Sequence, residues 1–163
     1  MIVLRWLIRI LAGIVALIAL LFVGARFHDG PLGPIPGGPL VSGELVRERI
    51  DDWSFAKDVQ EIELQLDSER RSRTVWLVVL ENQAFVPCSL GFPPGKSWYR
   101  QAALDGRATL RIEGRRHPVV LTKTEDPALA EALRMEVQRK YGRVPPGESE
   151  IWVFQVTSRS DGA

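Results

Sequence analysis

An uninterrupted apolar run near the N-terminus constrains this chain more than any other feature. The 16 residues from Ile10 to Ala25 contain no charged and no amide side chain, and residues 6–8 extend the apolar stretch on the N-terminal side. The run alone is slightly short of the ~20 residues that cross a bilayer. Residues 6–8 can lengthen it, because the long aliphatic stem of Arg9 can bring the charge of that residue to the headgroups. We therefore predict a transmembrane helix within residues 1–25.

The charges beside this run predict its orientation. Arg5 and Arg9 precede the run, and the first acidic residue is Asp29. Since basic flanks stay in the cytoplasm, we expect a single pass through the inner (cytoplasmic) membrane, with the N-terminus inside and the chain after Arg26 on the extracytoplasmic side. A cleaved signal peptide has the same pattern, and Val23-Gly24-Ala25 would suit its cleavage site. We favour the uncleaved signal-anchor, and the cleaved form stays open.

Composition limits the classes of partner and site. Residues 26–163 have the length of one domain. The chain carries 21 basic and 20 acidic residues, and this balance predicts no nucleic-acid partner. Cys88 is the only cysteine, so no intramolecular disulfide can form. His28 and His117 are far apart and in no ligand spacing, and we expect no metal.

Residues 26–45 are rich in proline and glycine. The stretch from Asp29 to Gly43 reads DGPLGPIPGGPLVSG and has no regular apolar period. Proline fixes φ and removes a donor, while glycine loosens the chain between prolines. We expect a linker that holds a domain at residues 46–163 away from the membrane. The alternative is that Pro34 to Pro39 packs along the domain as an ordered arm, since Leu32, Ile35 and Leu40 would otherwise be exposed apolar groups.

Six segments have patterns typical of β-strands. Glu61 to Leu66 alternates between polar and apolar residues, as a half-buried strand does. Thr74 to Leu80 is rich in β-branched and apolar residues, so we expect a central strand buried on both faces. The other four segments lie at residues 84–88, 107–113, 117–123 and 151–156.

Two segments carry helix signals. Ser97 can cap a short helix through Leu104, which Asp105-Gly106 would end. The stronger helix has Pro127 at its first position and ends before Gly142. Its apolar residues recur at a spacing of four: Leu129, Leu133, Val137 and Tyr141. The order of elements predicts a mainly β (α+β) fold, an antiparallel barrel of six strands with two helices.

The sequence also resembles a known superfamily. The stretches SRTVWLVVLENQAFVPCS and GKSWYRQAALDGRATLRIEGRRHPVVL resemble the split-barrel proteins of the pyridoxamine 5'-phosphate oxidase type, most closely the deazaflavin (F420)-dependent nitroreductase branch. The most specific piece is Lys96 with Ser97-Trp98-Tyr99-Arg100-Gln101 after a strand that ends in serine. There, that branch has a Ser-Lys-Gly-Gly-like loop followed by Pro-x-Trp-Tyr-x-Asn-Leu. The resemblance covers Glu61 to Val156.

The resemblance implies a cofactor and its site. It implies FMN or F420 lying across a split barrel, and so a membrane-anchored oxidoreductase of the nitroreductase type. Basic and hydroxyl side chains would hold the phosphate or polyglutamate end, and a tryptophan would wall the ring. The implied cofactor-binding residues are Arg71, Arg73, Ser89, Lys96, Ser97, Trp98 and Gln101. From the residues alone, the backbone N–H groups at the start of the short helix and the Lys96 ammonium form an anion-binding feature.

A second hypothesis is a non-catalytic envelope domain that has lost its cofactor. In that case the groove would be filled by Trp98, Phe92 and the neighbouring prolines. The sequence contains no G-x-S-x-G, H-E-x-x-H, C-x-x-C or P-loop pattern, which disfavours hydrolase, metalloprotease, thioredoxin and nucleotide-triphosphatase functions. The sequence does not decide whether the protein is an enzyme. We expect membrane lipid and an unidentified small molecule as partners, and a homodimer stays open.

Overall fold

Eight β-strands form one sheet in the part of the chain that the structure, a computed structural model, describes: residues 2–91, 95–142 and 151–160. The strands are β1 (Glu44–Leu45), β2 (Glu61–Leu66), β3 (Ser72–Trp76), β4 (Val78–Leu80), β5 (Gln83–Ser89), β6 (Arg107–Ile112), β7 (Arg115–Thr124) and β8 (Ile151–Ser158). The helices are α1 (Ile2–Ala25), α2 (Trp98–Leu104) and α3 (Pro127–Tyr141), with a 3-10 turn at Ser54–Ala56.

The strand order shows how the sheet closes. The order is β3-β2-β6-β7-β8-β5-β4, with antiparallel neighbours throughout, and β1 joins β7 in parallel. β3 and β4 stand at the two ends of this order, yet only Leu77 separates them in the chain. The sheet therefore curls so that one chain segment joins both ends. The mainly β, antiparallel split-barrel fold predicted from the sequence is confirmed.

The segment Thr74 to Leu80 differs from the prediction of one central strand. Its first half pairs with β2 and its second half pairs with β5, so the segment closes the barrel instead of lying in the middle of the sheet. The break falls at Leu77, whose backbone N–H donates to the carbonyl of Gln60 at 3.3 Å. This break and the two-residue β1 explain why eight strands are found where six were expected.

The segment from Thr74 to Leu80 contributes apolar side chains to two separate cores. Inside the barrel, Leu77 and Val79 join a core to which all the long strands and α2 contribute. Outside the barrel, Val78 packs with Phe85 and with the apolar face of α3. A segment covered on one side by the barrel core and on the other by a helix needs apolar residues at successive positions.

Helix α3 forms where the sequence predicts it. The Asp126 carboxylate accepts a hydrogen bond from the N–H of Ala128 at 2.9 Å, and Gly142 ends the helix in the left-handed region at φ 65°. Leu133 and Val137 are buried against the outer face of the sheet. The predicted packing of this helix on the barrel is confirmed.

The C-terminal end of α3 holds the barrel closed at its break. The Tyr141 hydroxyl lies 2.8 Å from the carbonyl of Leu77 and accepts a hydrogen bond from its N–H at 3.1 Å. Lys140 Nζ donates to the carbonyls of Leu77 at 2.8 Å and Val59 at 2.6 Å. The ring of Tyr141 stacks on Trp76 at 4.2 Å between centroids. Backbone groups that the strand break leaves unpaired are thus satisfied by a helix.

The hairpin after β6 turns slightly earlier than predicted. Glu113 and Gly114 both have positive φ, 48° and 78°, as a two-residue type I′ turn requires. β7 therefore begins at Arg115, two residues before the predicted start at His117.

The proline- and glycine-rich segment contacts the sheet. The Leu40 N–H donates to Gln65 Oε1 at 2.7 Å, and the Leu40 side chain is buried. Gly37 pairs with Ser72 of β3, and the Ser72 hydroxyl donates to the carbonyl of Gly38 at 2.6 Å. These contacts favour the ordered-arm alternative for residues 28–46, which we call the arm.

Helix α1 stands apart from these cores. Residues Val3–Ala25 are long and apolar enough to cross a membrane, and this helix is the only one of that kind among the described residues. Residues 3–24 are exposed, while Ala25 is buried. By length and composition the helix suits a membrane anchor or a signal sequence.

Candidate functional site

Arg73, Cys88 and Trp98 lie close together although they come from three different elements. Arg73 is on β3, Cys88 near the end of β5, and Trp98 at the start of α2. The Arg73 guanidinium carbon lies 5.7 Å from the centre of the Trp98 ring. Arg73 and Lys96 both act electrostatically on the Cys88 thiol, which places Lys96 in the same group. We call these four residues the Arg73 cluster.

Arg73 is the most constrained charge of the cluster. Its side chain is 15% exposed and forms an ion pair with Glu69 through Nη2. Its Nε atom is buried and has no acceptor within the described ranges of the chain. Burial lowers the pKa of Arg73, and the Glu69 carboxylate opposes that shift. One buried donor of a fixed cation is therefore left for an additional acceptor.

Burial shifts the pKa values of both Lys96 and Cys88. Burial lowers the pKa of Lys96. Burial also raises the pKa of the Cys88 thiol to about 11, although Lys96 and Arg73 both favour the thiolate. At neutral pH Cys88 is protonated and a poor nucleophile.

Trp98 belongs mainly to the barrel core. It is 7% exposed, and its ring lies 5.7 Å from the ring of Phe154 and under the Arg73 guanidinium. This position leaves little of the indole surface for a cofactor ring.

The other residues implied by the resemblance lie outside the cluster. Arg71 is exposed in the turn before β3, Ser97 is exposed just before α2, and Gln101 is exposed on α2. Ser97 stands at the N-cap of α2, but its hydroxyl makes no capping hydrogen bond. Helix α2 has seven residues, so its dipole is weak.

Ser89 faces away from the cluster. Side chains alternate along a strand, so Ser89 shares a face with Phe85 and Pro87, whereas Cys88 points to the barrel interior. The Ser89 hydroxyl oxygen is buried and makes no hydrogen bond to any described residue. The structure thus brings Arg73, Lys96 and Trp98 together and leaves Ser89 on the other side of the sheet.

Two further residues, Glu69 and His117, have surroundings that the sequence does not predict. Glu69 neutralises part of Arg73, and its only sequence signal is a position four residues earlier in a charged turn. His117 is 3% exposed, and neither ring nitrogen has a partner among the residues that the structure describes. Its ring lies 6.0 Å from that of Trp53 and 5.9 Å from that of Phe55. No sequence pattern marks such an aromatic surrounding.

An apolar cavity of about 350 Å³ lies between α3 and the outer face of the sheet. It is lined mostly by aliphatic and aromatic side chains, among them Val78, Phe85, Pro87, Leu133, Val137 and Val153. The cavity is on the opposite side of β5 from the Arg73 cluster. Within residues 2–91, 95–142 and 151–160, no group of three or more His, Cys, Asp or Glu side chains could hold a metal ion.

Comparison with known proteins identifies the family. Residues 50–159 match a family described as "Uncharacterized protein conserved in bacteria (DUF2255)". The chain belongs to this family. The matched range covers β2 to β8 and leaves out α1 and the whole arm.

The comparison with solved structures gives a distant likeness. A candidate pyridoxamine 5'-phosphate oxidase from Listeria innocua matches over 65% of this chain and 89% of its own, with 10% sequence identity and a TM-score of 0.49. At that level the likeness says nothing about a cofactor or a reaction of this chain. No curated protein matches the chain.

Proposed function

We propose that this DUF2255 protein is a membrane-tethered split barrel that binds a phosphate-bearing cofactor of the flavin type, FMN or F420, through Arg73 and Lys96. The observation that carries the proposal is the buried Nε of Arg73, which has no acceptor among the described residues. A buried guanidinium donor without an acceptor is costly, and an anionic ligand would remove that cost.

The cluster suits the anionic tail of such a cofactor. A phosphate offers several acceptor oxygens to the fixed fork of an arginine, and a nearby ammonium adds charge. Glu69 pairs with the guanidinium of Arg73 through Nη2, and the Nε atom of Arg73 is left without an acceptor among the described residues. The ring would need a surface other than Trp98, whose indole is buried. When bound, the cofactor would supply hydride transfer, while the chain would bind and orient it.

Neutralising Arg73 tests this site most directly. Arg73→Gln should weaken FMN binding about tenfold or more, since a hydrogen bond to a charged group is worth ~1.5–3 kcal/mol. Arg71→Gln is the matched control, because Arg71 has the same charge two residues away but is exposed. Lys96→Ala should also weaken binding, and Lys57→Ala, at an exposed lysine, should not. Affinities would be measured by flavin fluorescence titration on the purified full chain.

Equal losses in Arg73→Gln and Arg71→Gln would mean that general charge, not the cluster, attracts the ligand. Arg73→Lys keeps the positive charge but loses the planar guanidinium. Weaker FMN binding by this variant in folded form would therefore come from the lost binding geometry and not from a lost fold. Circular dichroism of each variant reports whether the barrel is intact.

The second candidate function is a non-catalytic envelope domain. It is favoured by Trp98, which occupies the barrel core next to Arg73 as that hypothesis expects. The other predicted fillers, Phe92 and the prolines at 93–94, lie outside the described residues. Absence of FMN and F420 binding by the wild-type chain would favour this function over the first.

We also propose that α1 is an uncleaved anchor in the cytoplasmic membrane, with the barrel on the extracytoplasmic side. Support comes from the two arginines before the apolar run. Further support comes from Ala25, the residue before the alternative cleavage point, which is buried against the folded chain.

A further inference from the structure

We propose that the barrel rests directly on the lipid surface, through a face next to the end of α1 that exposes Phe27 and Val41. We call this face the lipid-facing edge. The inference depends on the membrane insertion of α1 proposed above, and it adds that the barrel has one fixed orientation on the bilayer.

The chain has little slack between α1 and the arm. The N–H of His28 donates to the carbonyl of Ala25 at 3.2 Å, and the N–H of Gly38 donates to the carbonyl of His28 at 2.9 Å. A Cβ atom on Gly38 would lie 2.6 Å from the carbonyl oxygen of Arg26. The arm is therefore packed against the backbone just after α1, and the connection between α1 and the arm is not a flexible linker.

An ion-pair network then fixes this exit to the barrel. Asp29 accepts hydrogen bonds from the N–H groups of Val41 at 2.9 Å and Ser42 at 3.1 Å. The Asp29 carboxylate also accepts from Arg111 Nη1 at 2.9 Å, and Arg111 on β6 pairs with Glu63 on β2. Burial would raise the pKa of Asp29, but the hydrogen bonds from Ser42, Val41 and Arg111 outweigh it and hold that pKa well below its usual range. The carboxylate stays charged and the connection stays closed at physiological pH.

The exposed side chains at this connection are apolar. Phe27 is 85% exposed two residues after the helix, and Val41 is 63% exposed beside Asp29. If α1 spans the bilayer, Phe27 lies at the depth of the headgroups, where aromatic side chains are favoured. Val41 is held close to the end of the helix, because its N–H donates to the carboxylate of Asp29, the fourth residue after α1. Continuity with the spanning helix therefore makes lipid, rather than a protein partner, the occupant of this edge.

Site-specific fluorescence in vesicles tests the lipid-facing edge. The full chain carrying Cys88→Ala would be labelled with an environment-sensitive fluorophore at Val41→Cys and reconstituted into phosphatidylcholine vesicles that contain a spin-labelled headgroup lipid. Met135→Cys is the matched control, because Met135 is a 60% exposed residue on α3. We expect the label at position 41 to be quenched several-fold more than the label at 135.

Each other outcome overturns the inference in a distinguishable way. Equal quenching at the two positions, in protein that resists carbonate extraction, would show an anchored barrel that does not rest on lipid. A label at 41 that is shielded from aqueous iodide yet not quenched by the lipid probe would show a protein partner instead. Release of the protein by carbonate would reject the membrane insertion of α1 itself.

A second variant tests the tight connection. Gly38→Val places a side chain where the carbonyls of Arg26 and His28 leave no room. We expect it to lower the lipid quenching at position 41 and leave the label at 135 unchanged. Unaltered quenching at 41 would show that the packed arm does not orient the barrel.

Discussion

The Nε atom of Arg73 and both ring nitrogens of His117 are buried and have no partner in the described part of the chain, but the two side chains respond to burial differently. A guanidinium stays protonated inside a protein, so Arg73 keeps its charge and needs an acceptor. An imidazole can release its proton. Burial, with the charge of Arg115, lowers the pKa of His117, and the ring stays neutral.

The neutral His117 predicts acid-sensitive stability. Because its pKa is lower in the folded than in the unfolded state, its contribution is fully present above pH ~6.5 and is lost as the pH falls through the folded-state pKa. Each pKa unit between the two states is worth about 1.4 kcal/mol. Thermal unfolding followed by circular dichroism between pH 7 and about pH 5 should show this loss in the wild type but much less of it in His117→Phe.

His28→Ala is the control for this prediction, because it removes the other histidine of the chain, at an exposed position. The same loss of stability in His117→Phe as in the wild type would assign the acid sensitivity to other groups.

At this scale the sequence predicts residue types better than it predicts partners. The resemblance names Arg73 and Lys96 as members of one site, and in the structure both lie close enough to Cys88 to act on its thiol. It could not tell which face of β5 carries Ser89, because residues 84–88 are apolar on both faces of the strand. The ion pair of Arg73 with Glu69 depends on the turn geometry and has no reliable sequence signal.

Among the elements, α3 is the clearest case in which local sequence determines structure. Its proline start, glycine end and apolar spacing all favour the same helix, and the structure contains it from Pro127 to Tyr141. The break at Leu77 is different, because it arises where the barrel closes. There β2 pairs with β3, before the break, and β5 pairs with β4, after it. Those pairings are distant in sequence, so no local pattern reports them.

The packing of α3 predicts a large effect at one face of the helix. Leu133→Asp should lower the free energy of unfolding by about 3–5 kcal/mol, because it removes a buried side chain and leaves a charge without a partner. Met135→Asp, on the exposed side of the same helix, should change it by about 0.5 kcal/mol or less. Chemical denaturation of the two variants measures the difference, and similar stabilities would show that this face is not the buried one.

For the whole molecule, the apolar run and the alternation of strands predict most of the architecture. They predict an N-terminal apolar helix and an antiparallel barrel, because both signals are local and strong, and the structure contains both. The ordered arm was only an alternative, since proline and glycine composition resembles that of a flexible linker. Its order depends on distant contacts, such as that between Leu40 and Gln65.

The proposed topology predicts where a C-terminal reporter would be found. A periplasmic-active phosphatase fused after Ala163 should be active and remain in the membrane fraction, because the arginines before the run hold the N-terminus in the cytoplasm. The same fusion carrying Arg5→Ala and Arg9→Ala should be less uniformly exported. Activity in the soluble exported fraction would indicate cleavage, and an inactive reporter would indicate the reverse orientation.

The central claim is that the barrel recognises the phosphate of a flavin-type cofactor through the Arg73 cluster. Titration of the purified full-length wild type with FMN and with riboflavin, which differ only in the phosphate, tests it most directly, with F420 as a parallel ligand. We predict that FMN binds about tenfold or more tightly than riboflavin, as expected when charged hydrogen bonds are made to the phosphate. Equal affinities for FMN and riboflavin, or no binding of FMN and F420, would contradict the account.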